Sequence, residues 1–172
     1  MASLDPTTFT PDQLADMLHA WADGLYTDEA AVGLLITHRT WLTRRDFLTS
    51  CVDAIDDGWT RDGSAAMASI DWARAARLAY DAPCSTSESA VLRLAASLAG
   101  TSTGDLATLT RGLDVTNTAR LLEALAHRAG WHESHHAYTV TGHQHPTTAA
   151  PTTPPVAVPA PAGSPAEQEA SR

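Results

Sequence analysis

Apolar residues recur at helical spacing through the first 130 residues and then stop. The first predicted helix shows this most clearly. Its apolar positions follow one another every three or four residues and form a single stripe, which consists of Leu14, Met17, Leu18, Trp21 and Leu25. Thr10 is a suitable N-cap and Pro11 suits the first helical position, so the helix is predicted to begin there.

Polar residues of the capping type lie at or near the starts of the other predicted helices: Thr27, Thr43, about Ser64, Ser85 to Ser87, Asp105, and Asp114 or Thr116. The third helix is predicted to end at Gly58 and the fourth at Tyr80. The last is predicted to bury Ala119, Leu122, Leu125 and Ala126. Trp41 is expected to pack inward at a tight corner. No convincing strand pattern is found, so the sequence predicts an all-α fold, a compact irregular bundle of six or seven helices.

Composition divides the chain into four parts. We expect a flexible N-terminus over 1–9, a helical domain over 10–130, a histidine-rich linker over 131–145 and a disordered Pro/Ala/Thr-rich tail over 146–172. The tail contains seven prolines and few large apolar side chains, so it cannot bury enough surface to offset the cost of ordering. Deletion after Ala150 is therefore expected to leave the melting temperature unchanged.

The net charge of the chain limits the kinds of partner that we expect it to bind. The formal net charge is -9, and all eleven basic residues are arginine. This acidic balance disfavours nucleic acid and anionic membranes, and leaves another protein as the expected partner. No apolar run approaches the ~18 residues that a membrane span needs, and the N-terminal residues do not resemble a secretory signal. Two cysteines without CxxC spacing are typical of reduced thiols, so we expect a cytoplasmic location. No cofactor is predicted.

Four stretches carry a resemblance to a known group of proteins: AAVGLLITHRTWLTRRDFL (30–48), SIDWARAARL (69–78), VLRLAASLAG (91–100) and GLDVTNTARLLEALAHRAG (112–130). Together they resemble small uncharacterised actinobacterial proteins that are often associated with plasmids, phages or integrated elements. The resemblance covers residues 27–130. It implies a cytoplasmic helical domain with a mobile-element context, and it transfers no active site.

Histidines cluster after the last predicted helix. His132, His135 and His136 are candidate metal ligands, because imidazole nitrogens bind Zn, Ni, Cu or Fe. The order H-E-S-H-H differs from the H-E-x-x-H motif, in which both histidines lie on one helical face. The alternatives are adventitious metal binding and a solvated linker.

Two clusters of like charge are candidate partner-binding sites. The basic cluster contains Arg39, Arg44 and Arg45, and the acidic cluster contains Asp53, Asp56 and Asp57. Arginines near a helix start and carboxylates near a helix end oppose the helix dipole, so another interaction should favour them. For the arginines, that interaction is binding to a phosphate or an acidic partner, or pairing with the acids of the next element. For the carboxylates, it is binding to a partner protein or neutralisation by Arg61, and an acid/base pair or a divalent-metal site is the remaining alternative.

Residues 105–129 have helix-turn-helix proportions, with Asn117 and Arg120 available for contacts to DNA. No serine lies in a G-x-S-x-G motif and no phosphate-binding loop is present. We therefore expect a non-enzymatic protein-interaction or adaptor domain, with an accessory role for a mobile element or phage. A DNA-binding regulator, a metal-binding protein and an unmarked enzyme are the alternatives.

Overall fold

The computed structural model describes residues 2–56 and 66–134. The chain divides into two units, Met1–Gly142 and His143–Arg172, and every described residue belongs to the first. The described residues are mostly helical. They form seven α-helices, which are α1 Pro11–Ala22, α2 Tyr26–His38, α3 Arg45–Cys51, α4 Trp72–Asp81, α5 Thr86–Leu98, α6 Leu106–Thr110 and α7 Val115–Arg128.

Side-chain caps define the starts of the best-predicted helices. Thr10 and Gln13 form a reciprocal capping box at the start of α1, and Ser85 and Glu88 form one at the start of α5. The carboxylate of Asp114 accepts a hydrogen bond from a backbone amide in the first turn of α7. These three predicted starts are confirmed.

A small antiparallel sheet corrects the all-α prediction. Its strands are β1 Ala2–Leu4, β2 Val52–Asp56 and β3 Ala66–Ile70, in the order β1-β2-β3. Val52 pairs with Ile70 and Ala54 pairs with Ala68, so small and branched side chains from both strands enter the core together. The predicted helices over 43–58 and 64–80 are therefore each partly wrong, because a strand occupies one end of each.

The N-terminal residues take part in this sheet. The sequence predicts a flexible segment over 1–9, but Ala2–Leu4 pairs with β2, and a 3-10 turn follows at Pro6–Thr8. Asp5 caps that turn by accepting a hydrogen bond from the Thr7 amide, and Pro6 is buried. Backbone pairing and burial thus hold this segment against the domain.

The core lies where α2 and α5 meet the corner between α2 and α3. Trp41 is completely buried in a 3-10 turn, Trp41–Thr43, and its indole N–H donates a 3.0 Å hydrogen bond to the carbonyl oxygen of Glu88. Phe47 packs against the Trp41 ring with the centroids 5.7 Å apart. The inward position predicted for Trp41 is confirmed. The cap predicted at Thr43 is wrong by one residue, because Arg44 precedes the first turn of α3.

Helix α7 packs on the domain with a face that is only partly the predicted one. Ala126 is buried as predicted, but Leu121 and Ala124 are buried beside it, whereas Leu122 and Leu125 are exposed. The helix carries two apolar stripes and only one can face α2 and α5, so the stripe containing Leu121 is the one that packs. Within the described residues, no helix has the length and apolar character required to cross a bilayer.

Candidate binding groove

A groove of about 580 Å³ lies between α2 and α7 and is closed at one end by the end of α1. Its apolar floor consists of Ala30, Gly33, Leu34 and Ala124. Helix α2 lines it from Tyr26 to Thr37, a distance of roughly 16 Å at the helical rise. The groove therefore has the length of a short polypeptide segment.

Gly33 keeps the floor of the groove open. It lies inside α2, where glycine is less favourable than alanine by about 1 kcal/mol. A Cβ atom built at this position meets no atom within 4 Å, and the backbone does not have the positive φ that favours glycine. Neither packing nor backbone geometry requires glycine here, so its effect in the structure is to leave space in the groove.

A carboxylate and an imidazole meet on one wall of the groove. His127 Nε2 on α7 lies 2.6 Å from Glu29 Oε2 on α2. Because an ionised carboxylate can only accept, Nε2 is the protonated nitrogen of this pair. Glu29 Oε1 also accepts a 2.8 Å hydrogen bond from the Gly24 amide in the turn between α1 and α2. Glu29 thus joins α7 to the turn that closes the groove.

Tyr26 provides the aromatic surface of the groove. Its hydroxyl donates to Glu133, which lies in the 3-10 turn Trp131–Ser134 after α7. The hydrogen bond to Glu133 raises the pKa of Tyr26, and the nearby charge of Glu29 acts in the same direction. The phenol therefore remains protonated at neutral pH. The Tyr26 ring also meets the His127 ring edge-on, with the centroids 6.1 Å apart.

The charged residues that line the groove are mostly acidic. Asp23, Glu29 and Glu123 contribute three carboxylates, whereas Arg120 contributes one guanidinium. Arg120 is itself engaged, because it donates a 2.8 Å hydrogen bond to Asn117 Oδ1. Carboxylates thus outnumber guanidinium groups by three to one along the groove. The arrangement suits a ligand that combines an apolar group with a positive one.

Two kinds of reactive group lie among the described residues. The Glu29–His127 pair could exchange a proton. Burial raises the pKa of both thiols, Cys51 and Cys84, and so lowers the fraction of each that is present as the nucleophilic thiolate. Among the described residues, no group of three or more His, Cys, Asp or Glu side chains is arranged to hold a metal ion.

The predicted basic cluster is spread over separate contacts. Arg39 at the end of α2 pairs with Asp12, with 2.7 Å between Arg39 Nη2 and Asp12 Oδ1. Arg44 pairs with Asp46, donates to the carbonyl oxygen of Pro83 and lies over the Trp41 ring. Arg45 is exposed at the start of α3.

The predicted acidic cluster lies on and after β2. Asp53 and Asp56 are exposed on that strand, and Asp57 lies outside the described residues. The sequence allowed pairing between the two clusters, but Arg44 uses Asp46, the second residue of α3, as its carboxylate partner. The hydrogen bond from Arg44 lowers the pKa of Asp46.

The residues predicted to contact DNA belong to an internal network. Asn117 is only 5% exposed, and its amide nitrogen donates to Ser87 Oγ and Asp114 Oδ2 at 2.9 Å each. Its amide oxygen accepts from Arg120. In this conformation Asn117 fixes the start of α7 and cannot reach a base edge.

The candidate metal ligands fall mostly outside the described residues. His132 belongs to the 3-10 turn after α7, but its side chain is not described, and His135 and His136 lie beyond the described range. The metal-binding hypothesis therefore stays a prediction.

Sequence reasoning did not identify the groove. Neither Glu29 nor His127 is among the site residues predicted above. Two signals were present in the sequence: an aromatic residue and a carboxylate in the first turn of one helix, and a histidine in the last turn of another. Their meeting depends on the packing of α2 against α7.

Comparison of the chain with protein-family models, with curated proteins and with solved structures gives no match.

Proposed function

We propose that this domain is a non-enzymatic protein-interaction module that binds a short segment of a partner protein in the groove between α2 and α7. The observation that carries the proposal is Gly33, which leaves the groove floor open at a cost in helix stability that no packing contact explains. Positions that lower stability without a structural reason are often functional.

A polypeptide segment fits the groove for two further reasons. The groove follows α2 for about three turns, which matches a peptide helix that presents apolar side chains at i and i+4. Large apolar residues also lie exposed at the end of α1 and immediately after it, where Trp21 is 47% and Leu25 is 54% exposed. Such exposure is typical of interaction surfaces.

An accessory role in a mobile element or phage is part of the same proposal, and the resemblance over residues 27–130 supports it. The DNA-binding alternative has less support, since Asn117 is buried and the protein is acidic. The metal-binding alternative depends on histidines outside the described residues.

The test is a groove-filling substitution. Peptides selected from a displayed random library on the purified full chain are synthesised, and their dissociation constants are measured by fluorescence anisotropy. Gly33→Leu narrows the groove at its floor, and its Cβ has room there, because no atom lies within 4 Å of that position. We expect it to weaken the selected peptides at least tenfold and to leave the fold intact by circular dichroism.

The matched control is Ala20→Leu, which adds a leucine on an exposed helical position outside the groove. It should bind the peptides like the wild type. The proposal is wrong if Gly33→Leu binds them equally well, or if the library gives no peptide that binds more tightly than about 1 mM.

A further inference from the structure

The groove combines two features that recognise positive charge. Its charged lining is mostly acidic, and the Tyr26 ring provides an aromatic surface at the end near α1. A guanidinium or ammonium group is attracted both by carboxylates and by the face of an aromatic ring. A neutral or acidic segment would leave these carboxylates facing an apolar or repulsive partner.

The carboxylates are not equivalent. Glu29 is 19% exposed as a side chain and already contacts His127 and the Gly24 amide. Asp23 at the end of α1 and Glu123 on α7 also line the groove, and both are exposed. Their greater exposure places them better than Glu29 to meet a charge that arrives from solvent.

We propose that the groove selects an arginine or lysine side chain of the bound segment, held beside the Tyr26 ring by the carboxylates of Asp23 and Glu123. The inference rests on the proposed function and names the chemistry of its partner. The apolar floor takes a neighbouring aliphatic side chain of the same segment. The partner is thus a basic amphipathic segment.

The composition of this chain favours another protein as the source of that segment. The sequence contains no lysine, and residues 135–172 contain one arginine, Arg172. The arginines of the described residues lie on its own helices and at helix ends, and several of them are engaged in internal contacts such as Arg44 with Asp46 and Arg39 with Asp12. A second copy or the chain's own tail therefore offers little of the required charge.

The experiment compares two labelled probes on the full chain by fluorescence anisotropy. The first is an alanine-based helical peptide with two leucines four residues apart and an arginine flanking each of them. The second has citrulline, which is neutral and nearly isosteric, at both arginines. We expect the arginine peptide to bind at least fivefold more tightly in low salt, with the difference shrinking as salt screens the carboxylates.

Charge-neutralising variants locate the effect. Asp23→Asn combined with Glu123→Gln should remove the preference for arginine over citrulline. Asp16→Asn is the matched control, since Asp16 is an exposed residue of α1 outside the groove, and it should keep the preference. Circular dichroism checks that all the variants fold.

The outcomes separate this inference from the proposed function. Equal binding of both peptides, with both weakened by Gly33→Leu, would overturn the cationic preference and leave the groove as a binding site. Binding that Gly33→Leu does not weaken would overturn both. Two further outcomes would also overturn the inference. One is a dissociation constant of the arginine peptide above about 1 mM, and the other is an arginine preference that persists in the double variant.

Discussion

Helices α5 and α7 have similar lengths and contain three alanines and three leucines each, but they occupy different environments. Helix α5 contacts α2, α4, α6 and α7, and its apolar side chains are buried around most of its circumference. On α7 the outer apolar residues remain accessible, with Val115 at 78%, Leu122 at 45% and Leu125 at 42% exposure. One helix is an interior element. The other has one face on the core, a second along the groove and a third, with these apolar residues, outside both.

This difference separates the positions that determine stability from the positions that are available for recognition. Surface substitutions away from special contacts usually change stability by less than about 0.5 kcal/mol, whereas a truncated interior side chain leaves a cavity. We therefore expect substitutions in α5 to affect folding, and substitutions on the accessible faces of α2 and α7 to affect binding. Three measurements can test this comparison.

The largest effect is expected at Leu92, which is completely buried in α5. Leu92→Ala removes three side-chain carbons from the middle of the core. It should lower the free energy of unfolding by about 2–5 kcal/mol, the range typical of buried leucines. Urea denaturation followed by circular dichroism measures it. A loss below about 1 kcal/mol would show that α5 is not the interior element described above.

A smaller effect is expected from the charge of Glu88 in the first turn of α5. Glu88 accepts a 2.7 Å hydrogen bond from the Ser85 amide, and this bond is the main reason that the pKa of Glu88 is lowered. A lowered pKa in the folded state favours folding above the unfolded pKa, and this contribution disappears as the pH falls through the folded pKa. The wild type should therefore exceed Glu88→Gln in stability at pH 6, by about 0.5 kcal/mol after solvent screening.

The pH dependence checks the sign of that effect. The stability difference between wild type and Glu88→Gln should shrink below pH ~4.5 and approach a constant value near pH 3. Asp16→Asn, in the middle of α1 on an exposed face, serves as the control. A difference that grows as the pH falls would contradict the role assigned to the Glu88 carboxylate.

The smallest effect is expected on the outer face of α7. Leu125→Gln exchanges a largely accessible side chain for a polar one of similar length, so the free energy of unfolding should change by no more than about 0.5 kcal/mol. Thermal denaturation at two protein concentrations measures it. A loss above about 1.5 kcal/mol, or a melting temperature that depends on concentration, would mean that this face is covered in solution.

The sequence predicted the helices whose starts are defined locally. Thr10 with Gln13 and Ser85 with Glu88 are capping pairs within three residues of each other, so their effect does not depend on the rest of the fold. The strands were missed because Val52 and Ile55 continue the helical spacing of the preceding Phe47 and Leu48, and β3 is rich in alanine. Pairing between β2 and β3 overrides these helical preferences, and that pairing is not visible in either segment alone.

The candidate site was less predictable than the fold. Glu29 and His127 are 98 positions apart in the sequence, and their contact requires the correct face of α7 to meet α2. The sequence favoured the face with Leu122 and Leu125, because leucine is more apolar than the Asn117 and Ala124 that accompany Leu121. The polar network of Asn117 with Ser87 and Asp114 makes the other face fit, and such a network cannot be derived from spacing.

The position of β1 in the sheet imposes an order on folding. Ala2 is translated before its partner Asp56, and β2 itself pairs with β3 through Ala66. Until those residues have emerged from the ribosome, β1 has no edge on which to form hydrogen bonds, while the capping box of α1 is already complete. Because translation runs from the N-terminus onward, β1 is made well before the strand that it pairs with and gains its final contacts only after β2 has emerged.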